Sequence, residues 1–400
     1  MPAGFTLRAM EFETAASIVE VIGDGVQLRW SDGARSRFHP LWLRDNCPSG
    51  GEKRTALRTF SVVDLDPDLE VVDASPNEDG DLEIEFSDGH ISVFDFDWLR
   101  THSTEAPDRR RLEQRSVFRA GEALPTFAMP GPGTAGHLQV LDAVDEWGVA
   151  VVQEVPLNMA GSEALASLIG RVRETDFGRL FDIVVEPDVW ELSQSGLALD
   201  PHTDDPYRYT PSGCSFLHCI EGANNGGDSL LVDGFAIAED LRDEDPDAFD
   251  LLSEISVPFV RHRTETVDQG EDVHLLAYAP IISLDRDHQV CGIRFHERSM
   301  APLDIEPSLM GRYYEAFITF TKMVNDPSRA VQLRLQPGQA IVYDNQRVLH
   351  GRSAFSLEGG RRHLRLATID RDQFHSRLRR LREDHDQPGV HAALPQGSTA

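Results

Sequence analysis

Residues 197–241 read LALDPHTDDPYRYTPSGCSFLHCIEGANNGGDSLLVDGFAIAEDL, and the opening third sets one histidine among three aspartates. Carboxylates packed this closely repel one another unless a cation sits among them. His202 and Asp204 are two residues apart, so on a strand both side chains project to one face and can grip a single ion. Asp205 then points to the opposite face and reads as a turn or surface acid. Asp200 shares the face of His202 by the same step, although Pro201 between them bends the register. An HxD pair alone is weak evidence, because 15 histidines in an Asp-rich chain make one chance match expected.

Two later segments strengthen it. His350 lies in YDNQRVLHGRSAF, just beyond a strand-like run with a Pro-Gly turn, and an arginine cluster, RRHLR, follows in another strand-like run. Two histidines, one carboxylate and open positions make the facial triad of non-haem Fe(II) oxygenases. Three protein ligands leave room for a bidentate 2-oxo acid and O2, and an arginine suits the distal carboxylate of such an acid. On spacing alone, a surface turn at 202 and a satisfied histidine at 350 remain open.

The surrounding segments GCSFLHCI, GGDSLLVDGF, VPFVRHRTETV, PIISLDRDHQVCGIRF, AVQLRLQPGQAIVYD and RRHLRLATIDRD read as short strands between turns. Helical spacing interrupts them near 235–252 and at 307–325. Upstream, HLQVLDAVDEWG and SEALASLIGRV are helical, with Ser162 as the N-cap of the second. So many strands without regular β-α alternation predict a mainly β catalytic domain with flanking helices, an antiparallel sandwich or barrel rather than a doubly wound sheet.

The first hundred residues carry an internal repeat. DGVQLRWSDGARSRFHPLWLR (24–44) returns as DGDLEIEFSDGHISVFDFDWLR (79–100), each with alternating apolar residues between Asp-Gly turns. That is hairpin grammar and predicts a small all-β N-terminal domain over 1–105. A charged, then Pro/Gly-rich linker is expected over 106–136, a catalytic domain over 137–382, and a disordered tail over 383–400.

The chain of 400 residues carries 67 acidic and 38 basic residues, a net charge of −29. Such a field repels nucleic acid and anionic membranes, so neither is an expected partner. No apolar run approaches the roughly 18 residues of a membrane span, and the N-terminus lacks signal-peptide character, so a cytoplasmic location is expected. Cys47, Cys214, Cys219 and Cys291 are too widely spaced for a disulfide framework or a CxxC clip.

The 197–241 stretch resembles the metal-binding core of the γ-butyrobetaine hydroxylase and trimethyllysine hydroxylase family, within the TauD/TfdA group of Fe(II)/2-oxoglutarate dioxygenases. Among bacterial members it is most similar to the 2-trimethylaminoethylphosphonate hydroxylase type, which carries a HTDxPYR run. FHPLWLRDNCP (38–48) is similar to the start of the family's N-terminal domain, so the resemblance covers nearly the whole chain. It implies a double-stranded β-helix, or jelly roll. It also implies His202, Asp204 and His350 as iron ligands, Arg362 on the 2-oxoglutarate carboxylate and Ser229 beside that cosubstrate. A homodimer is implied as well. The implied reaction couples decarboxylation of 2-oxoglutarate to succinate with hydroxylation of an unactivated carbon. With Asp204 present no ligand position is vacated for chloride, which argues against halogenation.

The chain departs from the family pattern twice. The family's N-terminal zinc is held by three cysteines and a histidine; here Cys47 and His90 stand alone, with Ser49 and Glu52 in the other places. Structural zinc wants four firm ligands, so the zinc is expected to be lost. Relatives also hold a trimethylammonium group in an aromatic cage. The matching positions are Phe177, Phe181, Gln194 and Thr368, so two aromatics remain, and Glu191 replaces an expected asparagine. Arg298, with His296 and Arg294 nearby, matches the strand that meets the substrate's anionic end. Tyr207 and Arg208 are expected at the entrance, and Asp200 is a candidate specificity residue. The expected substrate is a small polar anionic or zwitterionic metabolite: a betaine, an aminophosphonate or an amino-acid-like compound. The same iron site could instead serve desaturation, cyclisation or C–C cleavage, or the scaffold could bind metal without turnover.

Overall fold

Both copies of the N-terminal repeat fold into the same ββα arrangement. The structure, a computed structural model, describes residues 16–48, 61–105, 115–184, 196–222, 226–263, 273–355 and 362–385. It divides into two compact units, Met1–Gln114 and Arg115–Ala400. In the first, β1 (Ala16–Ile22), β2 (Gly25–Trp30) and β3 (Arg35–Phe38) form an antiparallel sheet followed by α1 (Pro40–Asp45). The second copy sets β4 (Val71–Pro76), β5 (Leu82–Phe86) and β6 (Ile91–Phe94) before α2 (Phe96–His102). Period-two alternation buries Val26, Leu28 and Trp30 in one copy and Leu82, Ile84 and Phe86 in the other, all in one core. Trp30 meets its buried indole N–H by donating to Ser36 Oγ at 2.7 Å.

The second unit begins at Arg115, well before the expected linker end at 136. Phe118 is fully buried in its core. The strand β7 (Thr126–Ala128) pairs in parallel with β8 (Val149–Gln153). A run rich in Pro and Gly has here been drawn into the sheet edge, because its few apolar residues find partners there.

The unit is a double-stranded β-helix. Its strands are β9 (Phe181–Val184), β10 (Leu199–His202), β11 (Cys214–Glu221), β12 (Ser229–Asp233), β17 (Val331–Leu333), β18 (Ala340–Asp344), β19 (Val348–Arg352) and β20 (His363–Ile369), with the hairpins β13 (Val257–Arg263)–β14 (Val273–Ala279) and β15 (Ile282–Leu284)–β16 (Val290–Ile293). The major sheet runs β7-β8-β18-β11-β20-β9 and the minor sheet β10-β19-β12-β17. Leu217, Tyr343 and Leu364 of the major sheet pack against Leu231, Val331 and Val348 of the minor sheet. Alternate residues of the major sheet, Phe216, Val342 and Ala367, face outward under α3 (Ala135–Trp147), α4 (Met159–Ile169) and α8 (Arg371–Asp384). A third cluster joins α5 (Gly234–Glu244), α6 (Pro246–Glu254) and α7 (Met310–Val324) to β13 and β16.

Local differences from the sequence reading have local causes. The helix expected at 235–252 breaks at Asp245–Pro246, where Asp245 caps α6 by accepting from the Ala248 N–H. Asn158, not Ser162, caps α4. Ser162 lies inside the helix, fully buried, with its hydroxyl 2.9 Å from His218 Nδ1. The strand β14 and the helix α8 are additions; α8 is rich in arginine, and its buried stripe is narrow.

Candidate active site

The register of the minor sheet makes the site. β10 and β19 are antiparallel neighbours, and His202 stands directly across from His350. Their rings are 4.6 Å apart, centroid to centroid. The strands come this close because Gly351 lies between them: a Cβ there would meet the Leu199 carbonyl oxygen at 2.4 Å. Asp204 follows two residues past the strand end. Its Oδ1 is 3.5 Å from His202 Nε2 and its Oδ2 is 3.4 Å from His350 Nε2. One ligand atom from each of the three residues lies within 4.8 Å of the others, and this is the one such group that could hold a metal ion among the described residues.

Hydrogen bonds from their neighbours hold these side chains in place. His202 Nδ1 is 2.9 Å from the Asp200 carbonyl, which fixes the proton on Nδ1 and leaves the Nε2 lone pair facing Asp204. Asn345, fully buried, holds the Asp204 backbone from both sides. Its Oδ1 accepts from the Asp204 N–H at 2.8 Å, and its Nδ2 donates to the Asp204 carbonyl at 3.0 Å and to the Ser212 carbonyl at 3.1 Å. Burial opposes charge on Asp204, yet His350 and His202 beside it hold its carboxyl well below the usual range. Burial pushes the His350 imidazole below its ordinary value. A neutral His350 imidazole and an ionised Asp204 carboxylate are the protonation states that a divalent transition metal requires of these groups.

A cationic subsite shares the cavity. Arg362 is buried, with its guanidinium 5.5 Å from the Phe355 ring centre and no carboxylate at ion-pair distance among the described residues. Burial pushes it down to about 10, so it stays charged at neutral pH. A buried cation without a counter-ion is costly, and a ligand carboxylate would offset that cost. Arg352, which the sequence reading passed over, lies 5.3 Å from the same ring and donates to the Leu197 carbonyl. Ser229, buried, stands across from Arg352 in the β12–β19 pair. The cavity measures about 260 Å³ and is lined by the triad, Arg362, Ser229, Phe177, Phe181 and Tyr207.

Residues 123–368 match the taurine catabolism dioxygenase TauD, TfdA family, and residues 20–100 match the N-terminal region of gamma-butyrobetaine hydroxylase-like proteins. Gamma-butyrobetaine dioxygenase of Pseudomonas sp. (strain AK-1) is 36% identical over 88% of this chain and 93% of its own. The chain belongs to the TauD/TfdA dioxygenase family. The mitochondrial trimethyllysine dioxygenase of Gallus gallus is 29% identical over 86% of this chain and 84% of its own. A solved taurine dioxygenase from Burkholderia xenovorans covers 63% of this chain and 89% of its own at 14% identity, with a TM-score of 0.47. The protein is a 2-oxoglutarate-dependent dioxygenase.

The remaining residues singled out in the sequence fall into three groups. Phe177, Phe181, Tyr207 and Thr368 line the dioxygenase cavity. The two phenylalanine rings are 4.8 Å apart, and Thr368 Oγ1 is 2.7 Å from Ser215 Oγ. Arg298 and Asp200 are not in the lining: they pair with each other at 3.1 Å, both half exposed. Gln194 and Glu191 lie outside the described residues.

Three polar residues take other places than expected. Asp205 keeps its turn, with φ of 56°, but is buried rather than at the surface. It accepts from Tyr207 at 2.9 Å and Ser212 at 2.8 Å. Arg208 pairs with Asp176 and with Asp205. Arg294 donates to the backbone carbonyls of Pro206 and Arg208, so it braces the 206–209 turn. His296 lines the cavity 4.6 Å from the His202 ring, and burial beside that ring pushes it down to about 3, a neutral imidazole.

Arg261 and Asn345 were also passed over. Both lie in sequence runs, VPFVRHR and YDNQRV, whose alternation marks only strands and turns.

In the first unit Cys47 Sγ lies 3.2 Å from His90 Nε2. Ser49 and Glu52 lie outside the described residues. Among the described residues no helix is long and apolar enough to cross a membrane.

Proposed function

We propose that His202, Asp204 and His350 bind Fe(II), that Arg362 and Ser229 receive the cosubstrate, and that the enzyme hydroxylates a small anionic or zwitterionic metabolite. The observation that carries this reading is the cross-strand pair His202–His350 closed by Asp204, in one cavity with a buried arginine that has no protein counter-ion among the described residues. When bound, Fe(II) and 2-oxoglutarate activate O2, so that CO2 and succinate leave and one oxygen atom enters a substrate C–H bond.

The residues of the chain supply the rest. The Asp200 carbonyl and the two Asn345 hydrogen bonds orient the ligands before any metal arrives. Arg362 meets the distal carboxylate of the cosubstrate as a charge-assisted pair, strengthened by its desolvated position. Leu217, Leu364 and Leu366 supply an apolar wall that keeps water from the reacting centre. Neutral His296 offers a hydrogen bond near the open side without adding charge. Phe177, Phe181, Tyr207 and Thr368 bound the substrate end. Gln194, Asp200 and Arg298 were expected to touch substrate; for Asp200 and Arg298 the ion pair between them supports a place at the rim. A homodimer and a cytoplasmic location complete the proposal, on the family resemblance and on composition.

Succinate release from 2-oxoglutarate tests it. The reading expects Fe(II)-dependent succinate formation that rises on adding a betaine, aminophosphonate or amino acid, with one hydroxylated product per succinate. Succinate formation indifferent to every such compound would contradict it.

A further inference from the structure

The end of the cavity that the family resemblance assigns to a quaternary ammonium is partly filled by a cation of the protein itself. Arg261, on β13, lines the cavity with its guanidinium carbon 4.4 Å from the centre of the Phe177 ring and 5.7 Å from that of Tyr207. Its Nη1 donates to the Tyr207 hydroxyl at 3.3 Å, and its Nε lies 3.6 Å from Asp176 Oδ2. The arginine is thus fixed by stacking, a hydrogen bond and an ion pair.

A trimethylammonium group has no N–H and gains most of its affinity from open ring faces. Here one of those faces is already taken, and by a like charge. Thr368, at another cage position, offers a hydroxyl engaged with Ser215 in place of a ring. Of the other arginines that line the cavity, Arg173 pairs with Asp370 and Arg179 with Glu163, and Arg362 is the one assigned to the cosubstrate, which leaves Arg261 as the cation at the aromatic end. The two lining carboxylates are not placed to meet a substrate ammonium there: Asp204 is committed to the triad and Asp205 to Tyr207, Ser212 and Arg208.

We infer that Arg261 is a specificity residue that turns the aromatic end of the cavity away from quaternary ammonium groups and toward an oxyanion, so that the substrate ends there in a carboxylate or similar group. This rests on the proposed reading of the cavity as the substrate site of the Fe(II)/2-oxoglutarate enzyme.

A matched pair of probes separates the alternatives. Gamma-butyrobetaine and glutarate have the same three-carbon spacing, with trimethylammonium in one and carboxylate in the other at the far end. Each is titrated into the full-length protein loaded anaerobically with Fe(II) and 2-oxoglutarate, with the visible charge-transfer band followed throughout. The band reports the iron site independently of the probe, and its weakening would expose displacement of 2-oxoglutarate by glutarate.

Glutarate is expected to perturb the band, without loss of intensity, at concentrations about tenfold or more below those needed for gamma-butyrobetaine. Arg261→Met, which keeps an apolar stem, is expected to reverse that order while the unperturbed band stays as in the wild type. Arg261→Lys, which keeps the charge, is expected to retain it. The inference is overturned if gamma-butyrobetaine binds the wild type more tightly than glutarate, if glutarate does not bind except by displacing 2-oxoglutarate, or if Arg261→Met leaves the ratio unchanged. Absence of any band would instead overturn the reading of the iron site itself.

Discussion

The two ends of the cavity are built by different rules. At the triad end, sheet register does the positioning: His202 and His350 are cross-strand partners, and Asp204 follows two residues past the strand end. At the aromatic end, side chains arrive from the 175–181 segment, from β13 and from β20, and tertiary packing sets their relations. The first end therefore tolerates little change, whereas the second is where a shared scaffold admits different substrates.

The sharpest way to break this contrast is at the carboxylate. Asp204→Ala removes the ionised ligand while leaving the sheet intact, and we expect turnover, measured as succinate release, to fall on the order of a thousandfold or more. Arg362→Met comes next. It leaves the metal site in place but removes the buried guanidinium, so the KM for 2-oxoglutarate should rise about a hundredfold, with a smaller change in kcat.

Asn345→Ala acts one step further from the ion. By freeing the Asp204 backbone it should weaken Fe(II) binding, read by metal titration, by roughly 10- to 100-fold, and added Fe(II) should restore turnover. A loss that excess Fe(II) cannot restore would show that Asn345 merely holds the fold.

The smallest effect concerns the frame rather than the site. Burial lowers His218 and His375 to about 4 in the folded protein, against an ordinary value of 6.5. The unfolded chain therefore binds more protons between those values. Stability from these two groups is complete above about pH 6.5 and is lost as pH falls toward 4, by about 1–3 kcal/mol each. Chemical denaturation of the metal-free protein across that window should show the decline equally in the wild type and in Asp204→Ala.

What the sequence disclosed follows the same division. Period-two patterning made the N-terminal repeat legible because Val26, Leu28 and Trp30 and their second-copy counterparts are buried by strand geometry alone. The convergence of His202, Asp204 and His350 was legible because ligand chemistry restricts the residue types that such a group can use. The pairing of Arg298 with Asp200, the burial of Asp205 and the stacking of Arg261 on Phe177 were not. Each depends on contacts between residues far apart in the chain or across a turn, which periodicity does not encode. The Pro/Gly-rich run before 137 misled for a related reason: composition suggested a linker, yet Phe118 and β7 are recruited by the core.

One Fe(II) ion and one 2-oxoglutarate are proposed to meet at His202, Asp204 and His350. Anaerobic addition of Fe(II) and 2-oxoglutarate to the full-length protein tests it most directly, with the visible metal-to-ligand charge-transfer band as readout. A band is expected in the wild type, and its loss in Asp204→Ala. A band of unchanged intensity in Asp204→Ala would contradict it.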